Sequence, residues 1–258
     1  MDHVPVLTRS DASSAEARQQ LARHPSVLER LPKRLFEIYT RAVFRSYAPL
    51  HVTGRDNLPE RGAYILCSNH NSHVDTGILM DAAGRHFEQY GMLAAKDYWF
   101  DRKSRTQALG HLLMYLIPLQ RHADDPEALE QTLVLCEAFL SAGERSLVLF
   151  PEGTRSTTGK MGRFRKGAAY FALRLGVPIV PVNIQGSANM LPKGKKLMRP
   201  ARLSAVIGTP LDPYNYLAQP LREPPRGRGP KTTAIIKLTN DLERSVRDLG
   251  AQHPDLTS

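Results

Sequence analysis

The sequence predicts an α/β fold: a mostly buried mixed sheet covered by helices, preceded by an N-terminal amphipathic helical segment. Three observations carry this. After Pro49, short apolar runs alternate with stretches of helical periodicity, the pattern of layered α/β proteins. The runs are apolar at successive positions, as at Leu147, Val148, Leu149 and Phe150, so helices should cover both faces of the sheet. Finally, 258 residues of which 41% are hydrophobic suffice for a full core, since a chain of this size buries roughly 70% of its unfolded surface.

Taken in order, residues 1–20 read as a flexible tail and 21–48 as the amphipathic segment, with the α/β domain over 49–258. Within the segment, Leu28, Leu31, Leu35, Ile38, Tyr39 and Ala42 recur at helical steps among Arg30, Lys33, Arg34, Arg41 and Arg45. Pro32 should start or kink this helix. A basic amphipathic helix can lie in a lipid headgroup layer or dock on its own core. Strands are expected at 63–67, 91–95, 116–119, 146–150, 178–184 and 203–207, and Pro181 suggests an edge or a bulge in the fifth. Helices should fill 76–86, 109–115, 166–175, closed by Gly176, and 232–249, with another starting at Asp125 or Pro126. The Pro-, Arg- and Gly-rich stretch 219–230 reads as an exposed loop.

Composition narrows the function classes. Two cysteines exclude a disulfide scaffold, and both Cys67 and Cys136 fall in apolar settings. No cluster of Cys and His has metal-ligand spacing. Neither a signal peptide nor an apolar run of the roughly 20 residues needed to span a bilayer is visible. The expected location is the cytoplasmic side, in solution or on a membrane face. The formal charge is +10, and residues 160–202 hold ten basic side chains and no acid. Such a surface can attract phosphates or anionic lipids. Nucleic acid is not expected as a partner, because no binding signature accompanies the charge.

Two polar constellations each follow an apolar strand, where sites in open α/β sheets gather. The first is Ser68-Asn69-His70-Asn71-Ser72-His73-Val74-Asp75. A carboxylate on one imidazole nitrogen would free the other to take a proton from a hydroxyl. Spacing alone does not choose between His70 and His73. The second is Phe150-Pro151-Glu152-Gly153-Thr154-Arg155-Ser156, in which Gly153 permits a tight turn, Thr154 and Ser156 supply hydroxyls and Arg155 can grip a phosphate.

Together these blocks resemble the 1-acylglycerol-3-phosphate acyltransferase family of glycerolipid acylation. Ala95-Lys96-Asp97 with Trp99-Phe100, then Ile117-Pro118-Leu119-Gln120-Arg121, is similar to the family's second block. Val177-Pro178-Ile179-Val180-Pro181-Val182 is similar to its fourth, and the likeness runs from about Tyr64 to Thr209. It departs at Asp97, where the family often has Glu, and in the basic stretch 99–105, which leaves the acceptor open.

The resemblance implies acyl transfer from acyl-CoA or acyl-acyl carrier protein to the sn-2 hydroxyl of 1-acyl-glycerol-3-phosphate, with no bound cofactor or metal. On this chain His70 would be the general base and Asp75 its orienting partner. Glu152, Gly153, Thr154 and Arg155 would form the acceptor loop with Arg155 on the phosphate, and Lys96 would join that clamp. Asn69 and Ser156 would support the two loops. The family's preceding helices meet the membrane, which favours peripheral binding to anionic lipids. Glycerol-3-phosphate or another lysophospholipid is the alternative acceptor, and a peripheral lipid-binding protein without turnover is the alternative class.

Overall fold

The structure is a computed structural model and describes residues 9–100, 105–120, 126–195, 197–217 and 230–252. The stretch 219–229 and the basic residues Arg102 and Lys103 lie outside them.

Seven strands form one sheet: β1 (Leu50–Thr53), β2 (Ile65–Ser68), β3 (Tyr90–Ala95), β4 (Tyr115–Leu119), β5 (Ser146–Leu149), β6 (Ile179–Gln185) and β7 (Leu203–Ile207), in the order β1-β7-β6-β2-β5-β3-β4. All neighbours are parallel except β6 and β7, so the sheet is mixed, as expected. The helices are α1 (Arg9–Ala22), α2 (Val27–Ser46), α3 (Asp75–Ala83), α4 (Lys96–Trp99), α5 (Arg105–Leu113), α6 (Pro126–Leu140), α7 (Gly167–Leu175), α8 (Ser187–Met190) and α9 (Thr232–Gln252).

Alternate strand residues feed two cores. Leu66, Val148, Val180 and Val182 pack with Ile78 and Leu79 of α3 and Phe44 of α2. Ile65, Cys67, Leu147, Leu149 and Ile179 pack with Leu133 and Phe139 of α6, Phe171 of α7, and Leu238 and Leu242 of α9. Each fully buried Leu or Ile is worth about 1.5–3 kcal/mol, so two such faces hold the layers without further devices.

Three expectations need correction. Residues 9–22 form helix α1 rather than a loose tail: Ala17 and Leu21 pack on the second core, and buried Arg145 donates to the carbonyls of Leu21 (2.6 Å) and Arg23 (3.1 Å), closing the helix end. Pro32 neither starts nor bounds α2. Ser26 and Glu29 form a capping box that sets the start at Val27, and Leu28, whose carbonyl Pro32 leaves without its intrahelical donor, sits in the exposed first turn. Pro181 lies on an interior strand. That corrects the edge alternative only: its carbonyl accepts from the Gly208 N–H at 2.9 Å, and the antiparallel register then slips by one residue, Val182 pairing with Ile207 but Ile179 with Leu211, the irregularity that the bulge alternative expects.

Candidate active site

Strands β2, β5 and β3 run parallel and side by side, so the loops that follow them emerge at one edge of the sheet. That edge gathers the sequence-predicted residues.

The first loop leaves β2 at Ser68 and enters α3 at Asp75. Asn69 pins its start: the side-chain amide donates to the Ile184 carbonyl and accepts from the Ile184 N–H, both at 2.8 Å, extending the β2–β6 ladder by one side-chain rung. Asp75, fully buried in the first turn of α3, accepts on Oδ2 from the N–H groups of Asn71 (2.6 Å) and Ser72 (2.7 Å). The same oxygen lies 2.9 Å from His70 Nδ1. A carboxylate oxygen only accepts here, so Nδ1 donates and the proton-free nitrogen of His70 is Nε2. The imidazole is 14% exposed and stacks on Phe150, with ring centroids 3.9 Å apart and planes 13° from parallel. The ring is thus fixed at one edge by Asp75 and on one face by Phe150.

This geometry makes the choice that spacing left open. Asp75 orients His70 and not His73. Loss of solvation, the Arg155 charge and then His70 hold the His73 pKa down at about 4, which makes it a weak proton acceptor near neutral pH. The Tyr98 ring of α4 lies 6.3 Å from the His73 ring.

The second loop follows β5 and is bonded to the first. Ser156 N–H donates to the His70 carbonyl at 2.8 Å. Glu152, expected to meet the acceptor, is buried and turned inward instead: its carboxylate accepts from the His70 N–H (2.7 Å) and the Gly162 N–H (2.8 Å), and burial raises its pKa. Glu152 is a clasp between loops. Gly153 adopts the left-handed conformation the turn demands, with φ of +71° and the Arg165 side chain packed where a Cβ would point. Thr154 is exposed, and Ser156 Oγ accepts from the Thr158 N–H at 3.2 Å. The half-buried Arg155 carries the charge felt at His73, and its carbonyl accepts from Lys193 Nζ at 2.9 Å. Lys96, at the start of α4 beyond β3, is exposed at the same edge, and among the described residues no hydrogen bond ties it to either loop.

Three contributors escape sequence reasoning: Phe150 as the stacking floor of His70, Lys193 beside Arg155, and the paired N–H groups of Asn71 and Ser72. Phe150 reads as a strand end and as the first residue of the second constellation, neither of which shows the stacking, and the other two depend on folded-chain contacts. Among the described residues, no group of three or more His, Cys, Asp or Glu could hold a metal ion. Cys67 is buried in the second core, and burial pushes its thiol pKa up.

Residues 49–185, more than half of the chain, match the model of the Acyltransferase family. The chain belongs to that family. Among its acyltransferase relatives, the chloroplastic 1-acyl-sn-glycerol-3-phosphate acyltransferase of Arabidopsis thaliana is 30% identical over 164 residues, covering 63% of this chain and 43% of the relative. The chain therefore spans less than half the length of that relative. The 1-acyl-sn-glycerol-3-phosphate acyltransferase of Pseudomonas aeruginosa is 29% identical, covering 78% of this chain and 68% of its own. The fold is also that of the crystallised acyltransferase PlsC from Thermotoga maritima, with a TM-score of 0.56, 20% identity and coverage of 95% of this chain and 84% of the other.

Proposed function

We propose that this acyltransferase moves a fatty acyl group from a thioester, acyl-CoA or acyl-acyl carrier protein, to the sn-2 hydroxyl of 1-acyl-glycerol-3-phosphate. The observation that carries the reading is the imidazole of His70, anchored through Nδ1 to Asp75 and hydrogen-bonded through its own backbone to the loop that bears Arg155. Nε2 takes the hydroxyl proton as the oxygen attacks the thioester carbonyl. The C–S bond then breaks, and the departing thiolate takes the proton back from the imidazolium. Asp75 stabilises that imidazolium. Arg155, with Lys96 and Lys193 at the same edge, meets the phosphate of the acceptor.

A membrane position fits the substrate. Among the described residues, no helix is long and apolar enough to cross a membrane. Helix α2 nevertheless turns Leu28, Leu31, Leu35 and Ile38 outward, and Leu109 and Leu112 of the neighbouring α5 are exposed as well. This apolar face, bordered by arginines, would rest on the anionic cytoplasmic surface of a membrane and let a lysolipid reach the sheet edge without leaving the lipid.

The test is acyl transfer by the purified full chain from oleoyl-CoA to lysophosphatidate, glycerol-3-phosphate and lysophosphatidylcholine. Fastest transfer to lysophosphatidate is expected. A preference for another acceptor overturns the acceptor assignment, and vesicle binding without transfer to any acceptor supports the non-catalytic alternative.

A further inference from the structure

Between α8 and β7 the chain makes a loop, residues 191–199, that holds four basic residues and no acid. Its base is closed by the Arg199 N–H, which donates to the Met190 carbonyl at 2.8 Å. Its tip turns at Gly194, with φ of +86° and the Lys195 N–H on the Pro192 carbonyl at 3.0 Å. The loop stands at the sheet edge that carries His70, because β6, parallel to β2, ends there and β7 begins there. Three bonds tie it to its surroundings. The Leu191 carbonyl accepts from Ser72 Oγ at 2.6 Å, Lys193 Nζ donates to the Arg155 carbonyl at 2.9 Å, and the Tyr47 hydroxyl, at the end of α2, donates to the Met198 carbonyl at 3.0 Å. The loop therefore joins both site loops to the helix whose leucines face outward. Within it Met198 packs on the first core, whereas its neighbour Leu197 is 83% exposed, beside the exposed Lys195 and Arg199 in the same loop. A leucine held in water on an anchored loop forfeits its burial, and cations around it repel another copy of this basic chain. An anionic lipid surface supplies what both lack.

We propose that this loop is a second lipid contact, in which Leu197 enters between the headgroups of an anionic membrane while Lys195 and Arg199 pair with their phosphates. The inference rests on the membrane position read for α2 above and adds what the helix lacks. A helix lying in a headgroup layer leaves rotation about its own axis open. A loop bonded to its end and inserted beside it fixes that rotation, and turns the edge with His70 and Arg155 toward the lipid. A lysolipid moving from the bilayer to Arg155 then passes the loop whose Lys193 already touches that residue. An acidic carrier protein would match the cations but offers Leu197 no acyl phase to enter, so it is the competing outcome of the test.

A polarity-sensitive dye attached to the full chain at Leu197→Cys reads the contact directly, since the native Cys67 and Cys136 are buried and stay unlabelled. Its emission should shift to the blue on vesicles of phosphatidylcholine with phosphatidylglycerol, and less on phosphatidylcholine alone. In sedimentation with the mixed vesicles, Leu197→Ser should weaken partitioning about tenfold, from the lost apolar burial. Lys195→Glu should weaken it about twentyfold at low salt, because each charge near an anionic surface is worth a factor of about five, and that loss should shrink at high salt. Neither substitution should move the thermal midpoint or kcat on a short-chain soluble acceptor. A silent dye on a chain that still sediments with the vesicles would overturn the loop contact and leave the α2 reading standing, as would unchanged partitioning of both variants. Failure of the wild type to sediment at all would overturn both. A blue shift on adding acyl carrier protein, with none on vesicles, would make the loop a protein dock and overturn the proposal.

Discussion

The His70 loop and helix α2 both bury charged side chains, and they do so for opposite reasons. In the loop, buried Asp75 and Glu152 are surrounded by backbone N–H donors, and the side chain they hold, His70, opens outward. In α2 the polarity is inverted: Lys33 and Glu37 are buried, while Leu28 and Leu35 are 82% and 57% exposed. Lys33 Nζ donates to the Leu112 carbonyl at 3.2 Å and lies 4.6 Å from the Tyr115 ring centroid, and burial lowers its pKa. Glu37 accepts from the Phe87 N–H at 3.1 Å and pairs with Arg41 at 3.1 Å. The comparison teaches that a buried charge fixes geometry in both places, but its payoff differs. At the sheet edge the geometry serves a reacting atom. On α2 it accompanies an outward-facing row of leucines, an exposed apolar face.

The comparison can be broken first at Asp75. Asp75→Asn should lower kcat by about 10²–10⁴ with the acceptor KM little changed, because a neutral carboxamide no longer stabilises the imidazolium that forms as the base takes the proton. Steady-state kinetics decide it, and a residual rate within threefold of wild type would detach Asp75 from the reaction. Glu152→Gln comes next. One of two backbone donors then faces an amide N–H₂ instead of a carboxylate oxygen, which should cost about 1–3 kcal/mol of stability in urea denaturation and lower kcat with it. An unchanged midpoint would contradict the clasp. On the other side, Leu35→Ser should weaken partitioning onto anionic vesicles about tenfold, from the lost apolar burial, while kcat on a short-chain soluble acceptor stays at the wild-type value. Unaltered partitioning would mean that α2 faces something other than lipid.

The smallest effect is a pH dependence. The folded-state pKa of His73 is about 4 against an ordinary 6.5, so between those values the unfolded chain binds the proton more tightly. Stability should therefore fall as pH drops from about 6.5 to about 4 and gain nothing from this group above that window. His73→Gln should flatten part of that slope in thermal melts across the window, and a slope identical to wild type would remove the depressed pKa.

Much of this was legible in the sequence because local pattern and tertiary role agree. The run 146–150 is apolar on both faces and becomes a central strand, and Gly176 ends α7 in the left-handed conformation a glycine allows. Where local signals were weak, the reading missed. Residues 50–53 form a four-residue edge strand held by pairing with β7 and by Leu50 and Val52 against the first core, and α1 is held by Arg145, a residue more than a hundred positions away. The site shows the same division. His70, Asp75 and Arg155 were visible as residue types at suggestive positions, and the structure joins the loops that carry them. Glu152 reads as part of the acceptor loop, and nothing in a sequence shows that its carboxylate turns inward to two N–H groups; Phe150 reads as the first residue of that block, but a stacking floor looks like any other apolar strand end.

The central claim is that His70 and Asp75 act as one unit facing the Arg155 loop, and a double-mutant cycle on acyl transfer to lysophosphatidate reads it most directly. His70→Ala and Asp75→Ala should each cost about 10²–10⁴ in kcat, and the double variant should be no slower than His70→Ala alone, since the carboxylate has nothing left to orient. Two losses that multiply, or a His70→Ala enzyme that keeps its rate, would contradict the account.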